Sequence, residues 1–142
     1  MHATPVRPNT PSALTNAYRR IGVETSVSGA SAHKLITMLF DGVQESIQQA
    51  RGALRSKQPD VKGRAIARAV RIVDEGLRGA LNVEAGGALA LDLRDLYNYI
   101  TLRLTQANLS NDDQGMAECA DLIEPLRSAW RAIGPQVQAA RA

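Results

Sequence analysis

The stretch DVKGRAIARAVRIVDEGLRGAL, Asp60 to Leu81, decides the fold class. Placed about 100° apart, its residues put Ile66, Val70, Val73, Leu77 and Leu81 on one apolar stripe. Ala65, Ala69, Ile72, Gly76 and Ala80 form a second stripe beside it. Arg64, Arg68, Arg71, Glu75 and Arg78 share the opposite sector. That periodicity is helical, and the two stripes together span about half the circumference, wider than the roughly 100° that a surface helix buries.

Three similar segments flank it. Ser31 is an N-cap type residue ahead of Ile36, Phe40, Val43, Ile47, Ala50 and Leu54, a face that Gln58-Pro59 stops. Leu35, Leu39 and Gly42 widen that face. Asp60 is the expected N-cap of the second helix, and Asn82 to Gly87 the break after it. The third helix carries Leu89, Leu93, Leu96, Ile100, Leu104 and Ala107 and is expected to end near Asn108. The fourth is expected to open at Asn111 with Gln114 as a capping-box partner. It carries Met116, Cys119, Ala120, Ile123, Leu126, Ala129, Trp130 and Ile133 up to Gly134-Pro135, with a kink expected at Pro125.

Short connections force successive helices to return alongside one another, so the predicted fold is all-α: an antiparallel up-down-up-down four-helix bundle over residues 31–133. Residues 1–13, with Pro5, Pro8 and Pro11, read as a disordered lead. Residues 14–30 read as a short helical strap (Leu14, Ala17, Tyr18, Ile21) and a Ser/Gly linker, and 134–142 as a disordered tail. The chain has 142 residues of which 44% are apolar but only 4% aromatic, which suits helix packing better than a sandwich or barrel.

Composition also narrows function. No uncharged stretch exceeds Pro8–Tyr18, well short of the roughly 18 apolar residues of a membrane span. Membrane insertion is not expected, and the polar start lacks the pattern of a secretory signal. With one cysteine, Cys119, on an apolar face, a reducing cytoplasm is the expected location. The two histidines, His2 and His33, make no Glu-x-x-His pair, His33 is expected at the surface, and Gly86-Gly87 lacks the rest of a phosphate loop. No catalytic residue, metal or cofactor is therefore expected. The arginine sector of the second helix suits either an anionic partner or an ordinary solvated face. The widened apolar faces, with their small residues, suggest a shallow outward groove for another polypeptide.

At this point two segments resemble a known family, the flagellar export chaperones called FliS. One is Asn16-Ala17-Tyr18 with Ile21-Gly22-Val23-Glu24-Thr25, followed by Leu35-Ile36-Thr37-Met38-Leu39-Phe40-Asp41-Gly42. The other is Leu96-Tyr97-Asn98-Tyr99-Ile100 with Leu104, Ala107-Asn108-Leu109 and Asn111-Asp112. Ala69, Ile72, Val73, Gly76-Leu77-Arg78 and Ala129-Trp130 fit between and after them, so the likeness covers residues 16 to 132. The chain departs from the family at Ser31-Ala32, where Ser-Pro is common, at Leu102-Arg103-Leu104, where Arg-Arg-Leu is common, and at Pro125.

The resemblance implies a cytoplasmic, non-enzymatic chaperone. Its partner would be the disordered C-terminal segment of flagellin, kept from premature polymerisation and delivered to the flagellar type III export gate, where other regulators or co-chaperones also act. The groove is expected at Leu35, Leu39, Phe40, Ala65, Ala69, Ile72, Tyr97, Ile100 and Leu104, with Tyr18, Ile21 and Val23 as a strap over it. The competing reading is a small basic bundle that binds nucleic acid; it lacks a helix-turn-helix spacing or a stacking platform, so no nucleic-acid partner is expected.

Overall fold

A computed structural model describes residues 31–134. The expectations for 1–13, 14–30 and the tail beyond Gly134 lie outside the described residues. Helix α1 spans Ala32–Arg55, α2 Pro59–Arg71, α3 Val83–Ser110 and α4 Asp113–Ala132; a π-helical segment, Ile72–Arg78, continues α2. There is no strand among the described residues.

Local chemistry sets each boundary. Ser31 Oγ accepts the Lys34 N–H at 3.1 Å, capping α1 as its residue type predicts. The turn after α1 places Lys57 at φ 57°, and α2 begins with Pro59, whose missing N–H costs nothing in a first turn. Asp60 is thus inside the first turn and not the N-cap; that place is taken by Gln58, with no side-chain cap bond. At the other connection, cap-type residues stand side by side: the C-cap falls three residues later than expected, at Asn111 instead of Asn108, and the N-cap one residue later, at Asp112 instead of Asn111. Helix α3 runs on to Ser110, Asn111 adopts the left-handed conformation (φ 53°, ψ 47°), and Asp112 is the N-cap of α4, its Oδ1 accepting the Gly115 N–H at 3.1 Å. Helix α4 passes unbroken through Pro125. In α3, Gly87 at φ 56°, ψ −133° separates a first turn, capped by Asn82, from the main helix. Only glycine takes that conformation without strain.

Helix α1 packs on α2 and α4, and α3 packs on the same two, so the helices form a closed antiparallel ring with α1 and α3 on the diagonal. Val43, Ile47, Ile100, Leu104, Met116 and Ile123 are completely buried in its centre. Two glycines bring α1 and the second helix close together. A Cβ at Gly76 would stand 3.0 Å from Leu39 Cδ1, and one at Gly42 would stand 3.1 Å from Ile72 Cδ1. Cys119 is interior, and burial pushes its thiol up to about 12.

The two ends of the ring differ. Where α1 and α3 finish and α2 and α4 begin, charged side chains stitch the helices together. Lys62, 93% buried as the complement of its 7% exposure, donates from Nζ to the Asn108 carbonyl at 2.9 Å and to Asn111 Oδ1. Arg51 forks onto both Asp113 oxygens at 2.8 and 3.1 Å, and Arg103 reaches Asp112 and Glu118, each at 3.0 Å. This is the closed end. The opposite end, where α1 and α3 begin and the second helix and α4 finish, is apolar and open.

Candidate functional site

At the open end the four helix termini surround a cleft of about 590 Å³. Each wall comes from a terminus. Ile36 and Phe40 rise from the start of α1, Leu77 and Leu81 from the end of the second helix, Leu89, Leu93 and Tyr97 from the start of α3, and Leu126, Trp130 and Ile133 from the end of α4. Its size falls within the usual range for a ligand-binding cavity, and nearly every lining side chain is aliphatic or aromatic. Several of these residues remain accessible: Leu89 is 68% exposed and Ile133 38%.

One wall is held by a reciprocal latch. The His33 and Trp130 rings stack with centroids 4.9 Å apart and an interplanar angle of 12°. Trp130 Nε1–H donates to the His33 carbonyl at 2.9 Å, and His33 Nε2 lies 2.7 Å from the Trp130 carbonyl. A carbonyl only accepts, so Nε2 carries the proton. His33 is therefore committed to the fold rather than a solvated surface residue as the sequence reading expected. Further along the α1–α4 seam, Arg127 and Arg131 converge on Asp41, and Gln44 donates to the Ala120 carbonyl at 3.0 Å.

The nine residues expected in an outward groove need correction as to placement. Leu35, Leu39, Ala69, Ile72, Ile100 and Leu104 are fully buried, and Phe40, Ala65 and Tyr97 are 3–4% exposed. All nine belong to the core cluster. The small residues that suggested an approachable groove serve helix contact inside the molecule, with Gly42 and Gly76 seated against Ile72 and Leu39. Of the nine, only Phe40 and Tyr97 also line the cleft. Tyr18, Ile21 and Val23 lie outside the described residues.

The cleft residues that the site expectation missed include Leu77, Leu81, Leu89, Leu126 and Ile133. Periodicity placed each on an apolar face; what it could not supply was that these faces run past the packed region at one end. The arginine sector is also less uniform than the wheel suggests. Arg68 turns inward to the Ser46 hydroxyl and the Gly42 carbonyl, Arg78 pairs with Asp74, and Arg64 and Arg71 stay exposed. Among the described residues no cluster of His, Cys, Asp and Glu could hold a metal, and no helix is long and apolar enough to cross a membrane.

Comparison with known proteins adds a family. A model described as "Flagellar protein FliS" matches residues 14–137. A flagellar secretion chaperone FliS of Salmonella typhimurium is 42% identical over 120 residues, covering 84% of this chain and 89% of its own length. A flagellar secretion chaperone FliSB of Pseudomonas aeruginosa is 41% identical over 116 residues, covering 82% and 91%. The Escherichia coli flagellar secretion chaperone FliS is 38% identical over 117 residues, covering 82% and 86%.

Proposed function

This chain belongs to the FliS family of flagellar secretion chaperones, and from that premise we propose that it binds the C-terminal segment of flagellin in the cytoplasm, prevents its premature polymerisation and aids its delivery to the flagellar export gate. The observation that carries this reading is the cleft of about 590 Å³ between the four helix termini, apolar, accessible, and bounded by a latch that keeps its wall in place. A polypeptide that assembles through apolar helices exposes those positions while monomeric. A cleft of this kind removes some of them from water without offering a reactive group. Ordering the bound chain offsets part of the interaction energy, so such a complex is specific and still releasable.

Within this proposal Phe40 and Tyr97 meet the ligand directly, while Leu35, Leu39, Ala65, Ala69, Ile72, Ile100 and Leu104 hold the helices that form the walls. The strap residues Tyr18, Ile21 and Val23 precede Ser31, which adjoins the cleft residue Ala32, and shield this apolar surface until flagellin arrives. The test is a pull-down with the tagged full chain from flagellated cells that lack a finished hook, where unexported flagellin accumulates. Capture of flagellin is the expected result; a bait free of flagellin overturns the reading.

A further inference from the structure

The cleft is not uniformly apolar, and its side-chain hydrogen-bond donors can be accounted for one by one. Three lining side chains carry a nitrogen or oxygen: His33, Trp130 and Tyr97. His33 Nε2–H and Trp130 Nε1–H are both spent on backbone carbonyls across the latch. Tyr97 differs. Its side chain is buried to 4% exposure, yet among the described residues its hydroxyl has no hydrogen-bond partner. Nor is that oxygen sealed in, because the buried polar side-chain atom without a partner among the described residues is Gln44 Oε1. The hydroxyl thus keeps contact with solvent from a residue that lines the cleft. A buried tyrosine ordinarily finds a partner for its O–H, and core positions that need only the ring are filled by phenylalanine. Burial also holds the phenol neutral, pushed up to about 12, so it remains a donor at any physiological pH.

Resting on the reading that this cleft receives flagellin's C-terminal segment, we propose that the Tyr97 hydroxyl determines how that segment seats, by donating to one backbone carbonyl oxygen beside the apolar side chain that fills the cleft. An incoming polypeptide brings its peptide groups with it, and a carbonyl that enters apolar surroundings without a donor is strongly disfavoured. Leucine, isoleucine and phenylalanine walls give no information about register along the bound chain. One donor among them does, because only the register that places a carbonyl at Tyr97 Oη avoids leaving both groups unpaired.

The test compares the full chain with its Tyr97→Phe variant, which keeps the ring and removes the donor. Binding of a synthetic peptide of flagellin's C-terminal segment is followed by titration calorimetry, and each protein's thermal midpoint is measured alongside. We expect the variant to melt at or above the wild-type midpoint and to bind about five- to tenfold more weakly. A set of peptides with single amide-to-ester replacements locates the acceptor, since an ester carbonyl is a poorer acceptor. One replacement should weaken binding to the wild type and leave Tyr97→Phe unaffected. Equal affinity of the two proteins, a loss of affinity that comes with a lower midpoint, or an ester penalty identical in both would each overturn the role of Tyr97. Failure of the wild-type chain to bind the peptide at all would instead overturn the flagellin reading on which it rests.

Discussion

Leu89 and Leu104 fall on one face of one helix by sequence, yet the first is 68% exposed at the mouth of a cleft and the second is fully buried. They belong to opposite ends of the same bundle. At the closed end, beside turns only two or three residues long, a buried lysine ties α2 to the end of α3, Arg51 ties α1 to α4, and Arg103 ties α3 to the start of α4. At the open end the helix termini bound a cleft, and among the described residues several of its lining side chains, Leu89 and Ile133 among them, stay accessible. The lesson is that a periodic apolar face states what a helix has to bury, and not whether its own bundle does all of the burying.

The sharpest way to break this contrast is to remove the same side chain at both ends. Leu104→Ala should cost about 2–5 kcal/mol, because a fully packed site collapses only in part around the missing atoms. Leu89→Ala should change stability by less than about 0.5 kcal/mol while weakening the binding of a flagellin peptide. Urea unfolding followed by circular dichroism, with calorimetry for the peptide, separates the two outcomes. Comparable losses of stability would show that the open end is packed after all. Next in size is Lys62→Ala, expected to destabilise by roughly 2 kcal/mol by stranding the Asn108 carbonyl and Asn111 Oδ1 at the closed end, with peptide affinity unchanged.

Acid offers a smaller effect, with most of the affected carboxylates at the closed end. The Gly115 N–H and then Arg103 hold Asp112 below the usual carboxylate range; Arg51 does so for Asp113, and Tyr99 followed by Arg103 for Glu118. A carboxylate whose folded pKa is depressed contributes stability above its unfolded value and loses that contribution as pH falls through the folded one. Hydrogen exchange of the α3–α4 connection should therefore accelerate as pH drops below about 4, after correction for the intrinsic rate, and so should that of the α1–α4 seam at Glu124, which Gln44 and then Arg127 hold below the usual range. Smallest of all is the response of peptide binding to salt. Between 50 and 200 mM, on the order of the range used for nucleic-acid tests, a phosphate-binding protein loses affinity steeply, whereas binding in this cleft should barely change.

How much of this was legible beforehand follows from what each signal measures. Ser31, Pro59 and Gly87 act within a turn or so of themselves, so the helices and the ring they form could be read from the sequence. Asn111 and Asp112 could not be assigned individually, because both are cap types and their roles depend on which reaches the left-handed conformation and which accepts the Gly115 N–H. The π-helical segment was missed because a widened turn leaves the spacing of Ile72, Val73, Gly76 and Leu77 compatible with an ordinary helix. The burial of Leu39, Ala69 and Ile72, expected to face outward, has a related reason. Small residues beside an apolar stripe permit close approach, and a sequence alone does not say whether the approaching surface is a partner or the next helix. Gly42 and Gly76 answer to Ile72 and Leu39.

Trp130 is the only tryptophan in the chain, and it is stacked on His33 in the wall of the cleft. Excited at the red edge, where its three tyrosines do not absorb, the chain gives a signal from one place, with no second tryptophan to dilute it. Circular dichroism averages over four helices, but the emission of this indole follows the latch alone. When the open end loosens before the closed end, fluorescence and dichroism melts will separate on the temperature axis, and a bundle this small will fail the usual coincidence test for two-state unfolding. A ligand that fills the cleft will draw the two curves back together. The molecule thus carries its own unlabelled optical gauge of occupancy, read from a single side chain.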